Sequence, residues 1–219
     1  MKQNNCYIIL PHIEGKLEEI MMPEEGAFII CADGGYEHLK RLDLKPDILI
    51  GDFDSLHSDI PEDIPVIRLE EEKDVSDTDR CIQYAVSEGY SAIFIIGGMG
   101  GRCDHTVANL QNMVRYSMFS NELGYAPRII MADRQNYVFA LKNDSVQLPK
   151  LPGYKLSLLS FTEKCEGVSA RGTHYKIEDA ELTNLFPLGL SNEFEEDVIE
   201  ISVKKGTLLV MLTKDMGDH

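Results

Sequence analysis

The sequence contains no long hydrophobic run, few basic residues and no closely paired cysteines. Its longest apolar stretches are shorter than ten residues, whereas a membrane-spanning helix needs about 20. With 21 Lys and Arg against 37 Asp and Glu, the formal net charge is −16, which disfavours binding to nucleic acid or to anionic membranes. The five cysteines form no CxxC pair, and the N-terminus lacks the pattern of a signal peptide. These absences predict a cytoplasmic protein with reduced thiols.

Several common catalytic signatures are also missing. The six histidines form no HExxH or other metal-binding spacing, and no Ser-His-Asp arrangement or full Walker A or GxGxxG loop is present. The composition is nevertheless that of a folded protein, with 43% hydrophobic and 26% charged residues. A chain of 219 residues is long enough for one large domain or two modest ones.

Short apolar runs rich in Ile, Val and Phe dominate the first two thirds of the chain. They do not alternate in polarity, which is typical of strands buried on both faces of a parallel sheet. Helix-like stretches separate them, with apolar residues at helical spacing. This order predicts an α/β domain. The runs are Cys6–Leu10, Ala27–Ala32, Asp47–Ile50, Val66–Leu69, Ala92–Ile96 and Arg128–Ala132, and the helical candidates are Tyr36–Leu42, Asp77–Glu88 and Asp104–Phe119.

The last third of the chain has a different pattern. Its short runs, such as Tyr154–Phe161 and Thr207–Leu212, look like strands, and no long helical pattern is present. The segment Lys142–Gly153 contains two prolines and a glycine, which indicates a boundary. We therefore predict an N-terminal parallel-sheet α/β domain over residues 1–142 and a smaller C-terminal β domain over residues 143–219.

Acidic or glycine-rich loops follow four of the predicted parallel strands. Because the carboxyl ends of parallel strands meet at one edge of a sheet, where ligands bind, these four loops should converge in space. The loops are Asp33-Gly34-Gly35, Gly51-Asp52-Phe53-Asp54-Ser55, Lys73-Asp74-Val75-Ser76-Asp77 and Gly97-Gly98-Met99-Gly100-Gly101-Arg102-Cys103-Asp104.

Each loop taken alone also has a purely structural interpretation. Asp-Gly-Gly is a common turn sequence, and Asp-Phe-Asp could be a solvated loop. Asp74 and Asp77 could cap a helix or favour its positive end. The glycine loop could be a tight turn, although glycines before a helix also present backbone N–H groups to a phosphate, and Arg102 can donate to the same group.

The convergence of the four loops favours a metal-dependent enzyme. Several carboxylates in one cleft repel one another, and a divalent cation relieves the repulsion. Oxygen ligands without Cys or His pairing indicate Mg²⁺ rather than zinc. The cation would also allow an acidic protein to accept a nucleotide triphosphate. His105 could contact the substrate or only cap its helix, whereas His12, His38 and His57 are interpreted as structural and Cys103 as a residue of the core.

These four motifs, in this order, resemble those of the thiamine pyrophosphokinase family. Gly172-Thr173-His174-Tyr175 and Leu190-Ser191-Asn192-Glu193 resemble that family's thiamine-side motifs, so the resemblance spans about residues 30–195. It implies a C-terminal β-sandwich, a homodimer with thiamine bound between subunits, and transfer of pyrophosphate from ATP to the hydroxyl of thiamine, giving thiamine diphosphate and AMP.

The resemblance also implies roles for particular residues. Asp52, Asp54 and Asp77 would hold Mg²⁺, with Asp33 and Asp74 close by. The glycine loop and Arg102 would bind the ATP phosphates, and Asp104 would order that loop or contact substrate. The remaining implied contacts are Gly34, Gly35, Gly98, Gly100 and Gly101 for ATP, and Ser76, His105, Tyr175, Ser191 and Asn192 for the second substrate.

Two residues depart from the family pattern, which concerns the details of substrate binding and not the reaction. Ser76 stands where the family has Thr, and Tyr175 stands where some members have Trp, a residue type this chain lacks. Tyrosine can still stack on a cationic or heterocyclic ring. The alternatives are a related diphosphokinase for another heterocyclic alcohol, such as a hydroxymethylpterin, and a non-catalytic regulator that binds thiamine or nucleotide.

Overall fold

A computed structural model describes residues 5–53, 56, 59–70, 75–118 and 126–214. The chain divides into two compact units, residues 1–134 and 135–219. This division falls before the expected boundary at residue 142, because strand β7 (Asn136–Lys142) pairs along its length with strand β14 (Thr207–Lys214) near the C-terminus. Within the described residues, no helix is both long and apolar enough to span a bilayer.

The first unit contains a parallel sheet of six strands in the order β6-β5-β1-β2-β3-β4. The central strands are buried on both faces because their sequences are apolar throughout, whereas β4 at the edge is exposed. The strands are β1 (Cys6–Ile9), β2 (Phe28–Ala32), β3 (Ile48–Gly51), β4 (Val66–Arg68), β5 (Ala92–Ile96) and β6 (Arg128–Ala132).

Three helices accompany this sheet: α1 (Tyr36–Lys40), α2 (Asp77–Ser87) and α3 (Cys103–Met118). Helix α2 packs on β2 and β3 and against α3. Its buried positions include Cys81, Ile82 and Ala85, which lie on one face at helical spacing. The side chain of Ser76 accepts a hydrogen bond from the amide of Asp79 and caps the helix. The six strands and three helices lie close to their predicted positions.

The second unit is a β-sandwich of two antiparallel four-stranded sheets, in the orders β12-β9-β14-β7 and β11-β10-β13-β8. Side chains from both sheets, such as Leu158, Val168 and Ile201, form one buried core, and burial of each contributes roughly 1.5–3 kcal/mol. The C-terminal β-sandwich is therefore confirmed. Its other strands are β8 (Ser145–Pro149), β9 (Tyr154–Ser160), β10 (Lys164–Arg171), β11 (Ile177–Thr183), β12 (Gly189–Asn192) and β13 (Val198–Ser202).

Candidate functional site

Three carboxylates from three different chain segments meet at the carboxyl edge of the parallel sheet. Asp33 follows β2, Asp52 follows β3, and Asp77 is the first residue of α2. Each offers an oxygen within 4.8 Å of the other two. Asp33 is buried and has a left-handed backbone (φ 45). The missing side chain of Gly51 permits this approach, since a Cβ there would lie 3.0 Å from the Cα and Cβ of Asp33.

The donor set of this cluster fits Mg²⁺. All three ligands are carboxylate oxygens, and oxygens bound to one Mg²⁺ lie at most about 4.2 Å apart. Small side-chain rotations would therefore bring the three oxygens from within 4.8 Å into contact with one ion. Of the predicted metal ligands, the structure places Asp52 and Asp77 here together with Asp33. The predicted residues Asp54 and Asp74 lie outside the described residues.

The carboxylates open into a cleft of about 470 Å³. Ser76, His105, Gly98, Gly100 and Arg102, all predicted from the sequence, line the same cleft. The predicted residues Gly34, Gly35, Gly101 and Asp104 are not part of the lining that the structure describes. Gly35 instead permits close packing, because a Cβ at this position would lie 2.2 Å from the carbonyl oxygen of Ile9.

The glycine loop is fixed to helix α3 by its carbonyl groups. The side-chain amide of Asn109 donates to the Gly98 oxygen at 2.9 Å, and the Thr106 hydroxyl donates to the Gly100 oxygen at 3.2 Å. Because these two carbonyls are bound by the helix, their negative ends do not face an anionic ligand.

Two of the loop amides are also engaged, contrary to the expectation that the whole loop offers N–H groups to a phosphate. Gly97 N–H donates to the carbonyl of Ala132, and Gly98 N–H donates to the carbonyl of His12, both at 2.8 Å. Within the described residues, the amides of Met99, Gly100 and Gly101 donate to no other group. The part of the loop whose amides could donate to a phosphate is therefore shorter than the sequence suggests.

Arg102 and Asp104 form a two-pronged ion pair at the start of α3. The Arg102 Nε and a terminal nitrogen donate to the two carboxylate oxygens at 3.1 and 2.6 Å. The hydrogen bond from Arg102 lowers the pKa of Asp104 to about 2, and the same bond raises the pKa of Arg102. Both side chains are exposed, so the guanidinium can turn toward a ligand in the cleft while Asp104 holds it nearby.

Sequence reasoning missed the loop that follows β1. Leu10, Pro11 and His12 line the cleft beside the glycine loop, whereas the sequence alone favours a structural role for His12. The available signal was the position of this loop after the first apolar run, which puts it at the same edge of the sheet as the other four. The loop contains no acid or glycine directly after the strand, so it lacks the residue types that indicate a binding site in the other four loops. Ala32, Thr78, Ala108 and Asn109 complete the lining.

The second unit carries a separate groove of about 450 Å³. Tyr175 and Asn192, two predicted substrate contacts, line it together with Leu188 and Leu190. The Tyr175 side chain is 64% exposed, whereas Asn192 is buried. Asn192 Oδ1 accepts from the Tyr175 amide at 2.9 Å, and its Nδ2 donates to the Tyr175 carbonyl at 2.7 Å. Asn192 thus acts on the groove by fixing the backbone of Tyr175.

The third predicted residue of this region, Ser191, is exposed and is not part of the described groove lining. Its backbone is left-handed (φ 56), and its amide donates to the Ser157 hydroxyl at 3.1 Å.

Two family models match the chain in succession. The model described as "Thiamin pyrophosphokinase, catalytic domain" matches residues 22–124, and the model described as "Thiamin pyrophosphokinase, vitamin B1 binding domain" matches residues 145–208. The first range contains the carboxylates and the glycine loop, and the second contains the groove of Tyr175.

Relatives along most of the chain carry the same family name. A thiamine pyrophosphokinase of Bacillus subtilis (strain 168) is 25% identical over 198 residues, covering 88% of this chain and 90% of the relative. A thiamin pyrophosphokinase 1 of Caenorhabditis elegans is 25% identical over 177 residues, covering 75% of this chain and 70% of the relative.

Solved structures have the same fold. The crystal structure of a Bacillus subtilis thiamine pyrophosphokinase superposes with a TM-score of 0.82 at 22% identity, covering 97% of this chain and 100% of the other. That of a thiamin pyrophosphokinase family protein from Enterococcus faecalis has a TM-score of 0.78 at 26% identity, with coverages of 97% and 100%. With both family models matched in order and the carboxylates and glycine loop assembled in one cleft, the chain belongs to the thiamine pyrophosphokinase family.

Proposed function

We propose that this protein is a Mg²⁺-dependent thiamine pyrophosphokinase, which transfers pyrophosphate from ATP to the hydroxyl of thiamine and releases AMP. The observation that carries the proposal is the meeting of Asp33, Asp52 and Asp77 with the glycine loop and Arg102 in one cleft. A carboxylate cluster beside unengaged backbone amides and a guanidinium is suited to a metal-bound polyphosphate.

Each of the two units would bind a different substrate. Residues of the first unit would hold ATP and Mg²⁺: Asp52, Asp77 and the undescribed Asp54 as metal ligands, with Asp33 and Asp74 near them. When bound, Mg²⁺ supplies charge neutralisation on the phosphates. Amides of the glycine loop and the Arg102 guanidinium would orient the triphosphate, and Ser76 and His105, which line the same cleft, would contact the second substrate.

The reaction depends on positioning and charge more than on covalent work by the protein. The thiamine hydroxyl would release its proton to a carboxylate of the cleft, and its oxygen would attack the β-phosphorus in line and form a new P–O bond. The bond between the β-phosphorus and the oxygen bridging to the α-phosphorus would break, and AMP would leave. The chain's side chains would serve to align these groups and to exclude water from the cleft.

We assign the thiamine rings to the groove of the second unit. The exposed ring of Tyr175 can stack on the cationic thiazolium or on the pyrimidine, and Leu188 and Leu190 provide apolar contact. Exposed apolar side chains surround the groove, which is typical of a binding or subunit interface. They include Leu185, Phe186, Leu188 and Leu190. We further propose a homodimer with the active site at the subunit interface, and a cytoplasmic location, which the five free cysteines support.

A product assay tests the proposed activity. The purified protein is incubated with ATP, Mg²⁺ and thiamine, and the products are separated by chromatography. We expect AMP and thiamine diphosphate in equal amounts and no product when Mg²⁺ is chelated. Formation of ADP, or no AMP above a thiamine-free control, would refute the proposal. Light scattering after size-exclusion chromatography tests the dimer independently, since a monomeric mass at working concentrations would exclude it.

A further inference from the structure

The loop after β1 occupies a special position in the sheet. Strands β2, β3 and β4 extend from one side of β1, and β5 and β6 extend from the other. The strand order therefore reverses between β1 and β5, and ligands of open parallel sheets bind in the crevice at such a point. The two loops that flank this crevice are Leu10–His12 after β1 and Gly97–Gly101 after β5.

These two loops are joined by backbone hydrogen bonds. Leu10 N–H donates to the carbonyl of Ile96 at 3.1 Å, and Gly98 N–H donates to the carbonyl of His12 at 2.8 Å. The loop after β1 is also held on the side away from the glycine loop, where the Pro11 carbonyl is 2.9 Å from Nε2 of His38. The Nδ1 atom of His38 contacts Arg41. Since arginine can only donate, Nδ1 of His38 accepts, and Nε2 carries the hydrogen that binds Pro11. The position of His12 is thus fixed from both sides.

The imidazole of His12 lies directly against the glycine loop. A Cβ added to Gly101 would be 2.8 Å from Cε1, 3.0 Å from Nε2 and 3.3 Å from Nδ1 of this ring. A Cβ added to Gly100 would be 2.9 Å from an oxygen of the Glu14 carboxylate and 3.4 Å from Nε2 of His12. Gly101, which has a positive φ, therefore leaves the space that the ring occupies, and Gly100 lies beside both side chains. The ring does not belong to the carboxylate cluster found among the described residues.

The ring nitrogens are available to a ligand. His12 is exposed and lines the cleft, and neither nitrogen has a hydrogen-bond partner in the part of the chain that the structure describes. Several other donors in the crevice are already engaged: the amides of Gly97 and Gly98 bind carbonyls, and Arg102 is paired with Asp104. The amides of Met99, Gly100 and Gly101 remain as donors. A polyphosphate bound there has many acceptor oxygens and needs further donors.

We propose that His12 is a phosphate-binding residue, whose imidazole N–H donates to a non-bridging oxygen of the ATP triphosphate held by Gly100 and Arg102. The assignment of the nucleotide rests on the function proposed above. The chemistry required of His12 is a hydrogen-bond donor at a fixed position beside the glycine loop, and a positive charge on the ring strengthens the bond.

Binding measurements distinguish a phosphate contact from a contact to the nucleoside. The wild type, His12→Ala and His12→Gln are titrated with ATP and with adenosine by calorimetry, at saturating Mg²⁺ and without thiamine. Loss of the donor should raise the Kd for ATP at least about tenfold and leave the Kd for adenosine within about twofold. The Gln variant retains an N–H donor and should recover part of the loss. Lys16→Ala is the matched control, because it removes an exposed cation from the same segment but outside the cleft lining.

Two results would overturn the proposal: an unchanged Kd for ATP in a His12→Ala protein that melts at the wild-type temperature, or an equal rise in Kd for ATP and adenosine. If His12→Ala does not fold, the Kd values of His12→Gln for ATP and for adenosine are compared with those of the wild type. An unchanged Kd for ATP, or an equal rise in both Kd values, would then overturn the proposal. The binding arm requires no turnover. A wild type that makes no AMP but shows the His12 effect on ATP refutes the proposed activity alone, whereas an active wild type without the effect refutes only the role of His12.

Discussion

The carboxylate cluster should respond to neutralisation in opposite ways with and without metal. Three carboxylates whose oxygens lie within 4.8 Å of one another repel each other by about 0.9 kcal/mol per pair in water and about 3.5 kcal/mol per pair at an effective dielectric constant of 20. Asp52→Asn preserves the shape of the side chain and removes two of the three pairs. Because Asp52 is partly exposed, we expect the metal-free protein to become more stable by roughly 1–3 kcal/mol.

Differential scanning calorimetry measures this effect. A gain of 1 kcal/mol raises Tm by roughly 2–4 °C in a chain of this size, so Asp52→Asn in chelator should melt several degrees above the wild type. Addition of Mg²⁺ should stabilise the wild type and have a much smaller effect on the variant. In the product assay, kcat should fall by at least about 100-fold, since metal neutralisation of the phosphates is a large catalytic contribution.

Asp79→Asn provides a matched control on helix α2, which carries Asp77 of the same cluster. Asp79 is buried and accepts a hydrogen bond from Arg115 at 3.2 Å. The same chemical change therefore removes an attraction here. It should lower the free energy of unfolding by about 1 kcal/mol, and so lower Tm. The reasoning would be refuted if Asp52→Asn lowered the metal-free Tm as Asp79→Asn does, or if it turned over at a rate close to the wild type with the fold intact.

Other predictions concern the glycine–arginine segment. Arg102→Ala should weaken ATP binding by roughly 1.5–3 kcal/mol, the value of a lost charge-assisted hydrogen bond, measured as the Kd for ATP; an unchanged Kd would exclude the contact. The Asp104 carboxyl, with its pKa lowered to about 2, should remain ionised at pH 3 in a ¹³C NMR titration. Its pair with Arg102 should therefore stabilise the fold fully above the ordinary pKa of an aspartate and be lost only as the pH falls through about 2. Titration near pH 4 in the native protein would contradict the pairing. Gly97→Ala places a Cβ 2.4 Å from a backbone carbonyl, whereas Gly26→Ala, with a similar φ, meets nothing within 4 Å. Both share the left-handed cost of about 1–2 kcal/mol, so Gly97→Ala should have the lower Tm, and equal Tm values would refute the close approach. Cys103 is exposed and the other four cysteines are buried, so a thiol reagent should label one site rapidly in the native protein and five in denaturant, and ATP with Mg²⁺ should slow the rapid phase; labelling of more than one site in the native state would contradict the burial.

The parallel sheet could be predicted because its strands carry their own signal. A run such as Ala92–Ile96 has no polar residue and is bounded by a glycine loop, which leaves few alternatives to a strand buried on both faces. The positions of Asp33, Asp52 and Asp77 follow from that sheet, since each stands directly after a strand or at the start of a helix on the same edge.

The strands that escaped prediction lack such a local signal. Strand β11, Ile177–Thr183, contains three acidic residues, and its pairing with β10 brings Leu182 into the core. Strand β8 ends at Pro149 and lies in the segment interpreted as a boundary. It is a strand because β13 pairs with each of its residues. In both cases the partner strand determines the structure.

The role of the loop after β1 could not be found in the same way. His12 lies beside the glycine loop because β1 pairs with β5, which is more than 80 residues away in the sequence. The residues near His12 do not indicate which strand pairs with β1. The order of strands in a sheet is a property of the whole chain, so a local pattern predicts that a strand exists and not which loops flank it.

The hydroxyl of Ser76 has a consequence for how the cleft keeps its dimensions. Its oxygen accepts a hydrogen bond from the amide of Asp79 in the first turn of α2, and another from the side-chain amide of Asn112 in the middle of α3, both at 3.2 Å. Helix α3 therefore links the two parts of the cleft. The glycine loop precedes its first residue, and Asn112, about two and a half turns along it, holds the N-terminus of α2, where Asp77 lies. The distance between the carboxylate cluster and the glycine loop therefore depends on the rigid helix α3, and we expect a change at Asn112, which is not among the residues that line the cleft, to alter that distance.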